Sequence, residues 1–158
     1  MQCFGNVLAS ILHTNALSGA MMSCSFLTVP VLLDTNSKGP NLVSQWARMY
    51  EYGQKIMPSL AIATLFCYIV ACIGMYTADE PWTRGALAGA ITISIVPFTF
   101  IVMLPTNTKL FQMQKLSRPS SPSALEARSL VTKWAFLHVA RSLIPLAGAA
   151  IGVTSIFR

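Results

Sequence analysis

Polar residues cluster along this chain, and four apolar stretches lie between the clusters. They occupy about 4–33, 57–76, 85–104 and 134–157. Each approaches or exceeds the roughly 20 residues that carry a helix across a bilayer. The pattern predicts an all-α protein, an integral membrane four-helix bundle built as a single transmembrane domain over residues 1–158. The first stretch has no Lys or Arg ahead of its apolar run and is interrupted by His13-Thr14-Asn15. It is also too long for a signal-peptide core, so it reads as a retained span.

The connections have patterns of their own. Trp46, Tyr50, Gly53 and Met57 fall at helical spacing, which predicts a short interfacial helix over 41–55, between spans one and two. Asp79-Glu80-Pro81-Trp82 is a tight second loop. In the third connection, 105–133, the segment 117–123 reads as a flexible turn. Ser123 and Glu126 have capping-box spacing, so a helix should start there and run into the fourth span.

Composition narrows the class. Hydrophobic residues make up 54% of the 158 and charged residues 10%, where a soluble domain carries about 25% charged. Mean hydropathy is +0.59. A small soluble enzyme cannot hide so much apolar surface, and a disordered chain would be far more polar. The net charge of +6 is spread among loops and not gathered on one face, which argues against nucleic acid as a partner. Lys38, Arg48, Lys55, Lys109, Lys115, Arg118, Arg128 and Lys133 lie in connections one and three; only Arg84 and Arg158 lie on the other side. Eight against two predicts that loops one and three are cytosolic and both termini lumenal or external, in the endoplasmic reticulum or another endomembrane. The four cysteines contain no CxxC pair, and Cys67 and Cys72 have no further ligand nearby. They read as small hydrophobes, with no metal site.

The informative residues are those a bilayer should reject. Arg141 lies seven residues inside the fourth span, at a cost on the order of 3 kcal/mol near the bilayer centre. It can snorkel from there, pair structurally, or serve a site. His138 stands one turn earlier on the same face. That face continues through Pro145, Gly148, Gly152 and Ser155, small or polar positions that mark packing against other helices. The third span carries a similar stripe, Gly85, Gly89, Thr92, Val96, Thr99, Met103 and Thr106, ending in Pro105-Thr106-Asn107-Thr108 at the rim where the fourth span begins. Thr106 and Asn107 can thus meet His138 and Arg141; helix termination at Pro105 with ordinary capping explains them equally. His13 belongs near the opposite interface and reads as interfacial, not catalytic. No GxGxxG, Walker loop or GxSxG is present.

Four segments, SGAMMSCSFLTVPVLL (18–33), QWARMYEYGQKIMPSLA (45–61), MLPTNTKL (103–110) and WAFLHVARSLIPLAGA (134–149), resemble the fungal anthrone oxygenase family. These are small four-span membrane proteins often encoded with polyketide pathways. The resemblance touches all four spans. It implies oxidation of the central methylene of an anthrone to the anthraquinone ketone with O2, with a lipophilic polycyclic aromatic substrate and no flavin, haem or nicotinamide cofactor. It carries Asn107, His138, Arg141, Trp46, Tyr50 and Pro58 over as shared positions.

Chemistry then suggests roles. An anthrone whose central carbon has lost a proton is an electron-rich enolate able to meet O2 directly. His138 suits the base. Arg141 and Asn107 suit the enolate oxygen. Trp46 and Tyr50 can stack on the planar substrate at the mouth, with Met103 and Thr106 beside it. Besides substrate, O2 and membrane lipid, a second copy of the chain is a compatible partner. Two rival readings stand: a same-fold enzyme cyclising or rearranging another lipophilic product, and a non-catalytic membrane subunit. A closed bundle with His138 fully occupied by structural bonds would favour the latter.

Overall fold

The computed structural model describes residues 2–116 and 123–155, with side chains from Gly5 onward. It is all-helical among the described residues. Four helices are each long and apolar enough to cross a membrane: α1 (Gly5–Thr35), α2 (Gly39–Thr77), α3 (Thr83–Lys115) and α4 (Ala124–Thr154). This is the build of a multi-pass membrane protein. Ile62, Phe66, Ile101 and Phe136 stand exposed on its outside, where water would penalise them and hydrocarbon would not. The segment 117–122, expected to be a flexible turn, and the end of the fourth span beyond Ser155 lie outside the described residues.

Helices α2 and α4 each pack against both α1 and α3, and they also touch each other. The small-residue stripes of α3 and α4 face one another. A Cβ added at Gly148 would lie 2.9 Å from the Ala88 carbonyl, and one at Gly152 would lie 3.2 Å from the Tyr68 hydroxyl. That end of the bundle is therefore drawn tight. At the other end Trp46, Leu42, Val43, Leu110, Val131 and Trp134 form an aromatic-aliphatic core.

Two expectations change. The short interfacial helix is not a separate element: 41–55 is helical, but it is continuous with the second span through Pro58. Nothing between 41 and 57 breaks the helix, and the face begun by Trp46 and Tyr50 carries straight on to Met57. At about 1.5 Å per residue, α2 exceeds the bilayer core and extends beyond it. Likewise the chain does not leave helix at Pro105. It continues to Lys115, placing Thr106 and Asn107 inside a helix. The cap at Ser123 is as expected: its hydroxyl accepts from the Glu126 N–H at 3.1 Å, and α4 runs unbroken into the fourth span.

Two π-helical turns interrupt the spans, Cys24–Thr28 in α1 and Thr99–Met103 in α3. Each is centred four residues before a proline, Phe26 before Pro30 and Ile101 before Pro105. A proline has no N–H to give the carbonyl four residues back, and its ring crowds that carbonyl. Widening the turn to i→i+5 bonding relieves both faults and inserts one residue into the helix register.

Candidate functional site

Helices α2 and α3 touch at both ends and part between them. In the gap lies a cavity of about 450 Å³, within the roughly 300–1,000 Å³ of small-molecule sites. Its walls are mainly apolar, from Leu17, Met21, Met57, Ile95 and Met103 among others. Its polar wall comes from Tyr50, Thr99, Asn107, His138 and Arg141. Gln54, Pro58, Val96, Phe100 and Leu104 line it and are also exposed on the outside of the bundle. The cavity therefore opens sideways, between α2 and α3.

Helical spacing brings His138 and Arg141 together as expected. An Arg141 Nη2–H donates to His138 Nε2 at 2.9 Å, and Nη1 donates to Thr99 Oγ1 at 3.1 Å. A guanidinium has donors only, so Nε2 must be the accepting nitrogen. The ring proton then sits on Nδ1, which donates to Ser25 Oγ at 3.1 Å. The imidazole is buried and lies 4.6 Å, centroid to centroid, from the Trp134 ring. Among the described residues Arg141 pairs with no carboxylate, and its Nε finds no hydrogen-bond partner.

Asn107 comes to the same cavity but not to the His138–Arg141 pair. Its Nδ2 donates to the Tyr50 hydroxyl at 3.3 Å, and its Oδ1 is buried with no partner. Tyr50 and Met103 line the cavity. Trp46 does not. It is fully buried behind Tyr50, with ring centroids 5.3 Å apart, and packs edge-on to Phe111 and Trp134. Thr106 is buried outside the cavity wall. His13 is exposed, bonded to the Ala9 carbonyl at 2.9 Å, and far from the lining. Among the described residues no three His, Cys, Asp or Glu side chains gather as a metal cage would require.

Ser25 and Thr99, which hold the imidazole and the guanidinium, were not singled out by residue chemistry. Both belong to the π turns. The prolines four residues after the two turn centres were the available signal. Trp134, at the start of the fourth apolar stretch, is also a cavity wall.

Comparison with known proteins agrees with the resemblance. A family model described as "Anthrone oxygenase" matches residues 46–151. The chain is 46% identical over 140 residues to anthrone oxygenase AgnL2 of Paecilomyces divaricatus, covering 86% of this chain and 85% of that protein. It is 41% identical over 145 residues to anthrone oxygenase gedH of Aspergillus terreus, covering 91% and 94%. With an anthrone oxygenase of Claviceps purpurea it shares 44% over 144 residues, covering 89% and 82%. No solved structure matches. The matched region contains Tyr50, Asn107, His138 and Arg141 and extends over most of three spans, and on that footing the chain belongs to the anthrone oxygenase family.

Proposed function

We propose that this protein oxidises the central methylene of an anthrone-type polyketide to the anthraquinone ketone, with O2 as oxidant and no bound cofactor. The observation that carries the reading is Arg141. Among the described residues it is a cation without a counter-charge, on the wall of a mainly apolar cavity and hydrogen-bonded to a neutral imidazole. Such a cation lowers the cost of an anion formed beside it, most of all where water is excluded. An enolate is that anion.

In this reading the substrate lies flat in the cavity with its carbonyl oxygen toward Arg141. The guanidinium turns onto that oxygen and leaves Nε2 of His138 free. His138 takes one proton from the central carbon, and the electron pair moves to the carbonyl oxygen. The enolate is oxidised by O2, a carbon–oxygen bond forms at the central carbon, and the hydroperoxide loses water to leave the new ketone. One atom of O2 ends in the product and one in water. Ser25 keeps the imidazole in its Nδ1–H form throughout. Tyr50 and Trp134 supply ring surface, and Trp46 backs Tyr50.

Both nitrogens of His138 are engaged, which on its own fits a structural histidine. One of the two partners, however, is Arg141, itself a cavity wall open to competition from a substrate oxygen. The bundle is also not closed. Both points support an enzyme over a non-catalytic subunit. The eight-to-two distribution of cations supports loops one and three on the cytosolic side of an endomembrane. Glycosylation acceptor sites placed in loop three and between α2 and α3 check this; modification in loop three reverses it.

The function is tested by incubating membranes containing the protein with an anthrone under isotopically labelled O2. Anthraquinone should form well above the spontaneous rate, carrying one labelled oxygen. Formation at the spontaneous rate overturns the assignment.

A further inference from the structure

Asn107 is almost wholly buried, lines the cavity, and has one polar atom without a partner. Its amide N–H₂ is turned to the Tyr50 hydroxyl at 3.3 Å, so the free end is the carbonyl oxygen. That oxygen accepts hydrogen bonds and cannot donate one. An enolate oxygen, itself only an acceptor, gains nothing from it. Arg141 presents the opposite deficit: among the described residues its Nε–H is a buried donor with no acceptor. The cavity thus carries two complementary vacancies, one calling for an acceptor and one for a donor.

We infer that Asn107 selects substrates bearing a ring hydroxyl, by accepting that hydroxyl's hydrogen bond at Oδ1. The inference rests on the oxygenase reading and concerns which anthrones it takes. A plain anthrone offers a carbonyl to Arg141 and only C–H edges to Asn107. On entering it displaces water from the cavity and leaves Oδ1 buried and unpaired. A hydroxylated anthrone satisfies both groups at once. Sites built to pair a substrate hydroxyl discriminate strongly against the analogue that lacks it, because the loss falls on a buried polar group of the protein. Apolar walls such as Met103 and Ile95 tell the two substrates apart far less.

Tyr50 holds the Asn107 side chain through the hydrogen bond that its hydroxyl accepts. The ring of Tyr50 is in turn fixed between Trp46, at 5.3 Å, and Phe111, at 5.2 Å. Trp46 is fully buried and joins this chain of contacts to the core between α2, α3 and α4. Tyr50 is therefore a positioning residue for the selecting oxygen, and the aromatic cluster behind it is what keeps the phenol in place.

The test compares kcat/KM for a trihydroxyanthrone and for unsubstituted anthrone, each corrected for spontaneous oxidation. The ratio is measured in the natural protein and in two variants, so the intrinsic reactivity of each substrate cancels. Asn107→Leu removes the oxygen and should lower the ratio at least about tenfold. Asn107→Asp keeps acceptor oxygens at the same place and should retain the preference for the hydroxylated substrate. A ratio unchanged in Asn107→Leu, or a loss equal on both substrates, overturns the inference and leaves the oxygenase reading standing. A preference reversed in Asn107→Asp shows that the amide N–H₂ reads the substrate, and overturns it as well. Should Asn107→Leu not fold, Asn107→Ala, which removes the same oxygen with a smaller side chain, is measured in its place and must lower the ratio likewise. A natural protein that oxidises neither substrate sinks the oxygenase reading and this inference with it.

Discussion

Arg141 Nη2 stands 2.9 Å from His138 Nε2 and donates to it. The only lone pair on the neutral imidazole is therefore covered by the guanidinium, because Nδ1 carries the proton and faces Ser25. If His138 is the base, as proposed, Nε2 becomes available when something draws the guanidinium away. A carbonyl or enolate oxygen does so, and a cavity filled with apolar material does not. In the proposed reaction the same cation that covers the imidazole lone pair would serve the oxyanion once substrate is in place.

In the proposed mechanism, removing the imidazole removes the proton acceptor. His138→Ala should lower kcat by about a hundredfold or more, the range of general-base work. Ser25 and Arg141 then lose a partner, so the variant must first be shown to remain monodisperse in detergent. Anthraquinone formation at the natural rate by a folded His138→Ala protein would remove His138 from the mechanism.

Arg141→Lys separates chemistry from charge placement. Arg141 binds His138 and Thr99 through two different nitrogens, a fork that a point ammonium on a flexible stem does not reproduce. The Lys variant should insert and fold, because Lys reaches headgroups as well as Arg does. It should turn over at least about tenfold more slowly, with kcat affected more than KM, since the lost bonds are strongest to the developing oxyanion. Near-natural kcat would return Arg141 to snorkelling or structural pairing.

Hydropathy made the four spans legible, and i,i+3 spacing made the His138–Arg141 pairing legible, because both depend on local order alone. What failed to show depends on register or on neighbours. Any count of faces at 3.6 residues per turn slips by one residue past Phe26 and past Ile101, where the π turns lie. Thr99 already stood on the stripe read from the third span; that its hydroxyl meets Arg141, and that Ser25 meets His138, depends on a neighbouring helix and was not legible. Trp46 was read with Tyr50 as a stacking surface at the mouth. Helical spacing does not distinguish a ring that meets the cavity from one behind it, and this one is completely enclosed. The separate interfacial helix over 41–55 was inferred from the helical spacing of Trp46, Tyr50, Gly53 and Met57. That spacing is real, but it does not show where a helix ends, and Pro58 does not end this one.

The π turn of α3 should respond to its proline. Pro105→Ala restores an N–H to the helix and removes the ring from the neighbourhood of the Ile101 carbonyl, which allows Thr99–Met103 to tighten into ordinary α-helix. Losing one residue of register rotates the two halves of the helix by about 100° relative to each other. Thr99 and Asn107 then cannot both face the cavity. Helix content and melting temperature in detergent should hold or rise, while turnover falls on the order of a hundredfold, as misplaced site groups cause. Full activity in Pro105→Ala would show that the widened turn does not position the site.

The route into the cavity gives the last prediction. Helices α2 and α3 are held together at one end by Gly85 and Gly89 against Cys72 and Tyr68, and at the other by Asn107 and Phe111 against Tyr50 and Trp46. Between these clasps the opening is flanked by Pro58 on α2 and by Val96 and Phe100 on α3. Val96 is 41% exposed and Phe100 65% exposed, at a height where the flanking surface is apolar. A planar lipophilic substrate dissolved in the bilayer meets this opening without crossing water. Val96→Trp places a large ring across it. The substitution should lower kcat/KM for an anthrone by about tenfold or more and leave the melting temperature unchanged, because the side chain lies in open space and not in a packed core. Phe136→Trp, on an exposed face of α4 outside the cavity lining, is the control and should have no effect. Val96→Ala widens the opening and should keep or raise kcat/KM. If Val96→Trp and Phe136→Trp behave alike, the substrate enters by another path, and the separation of α2 from α3 at Val96 has no part in its entry.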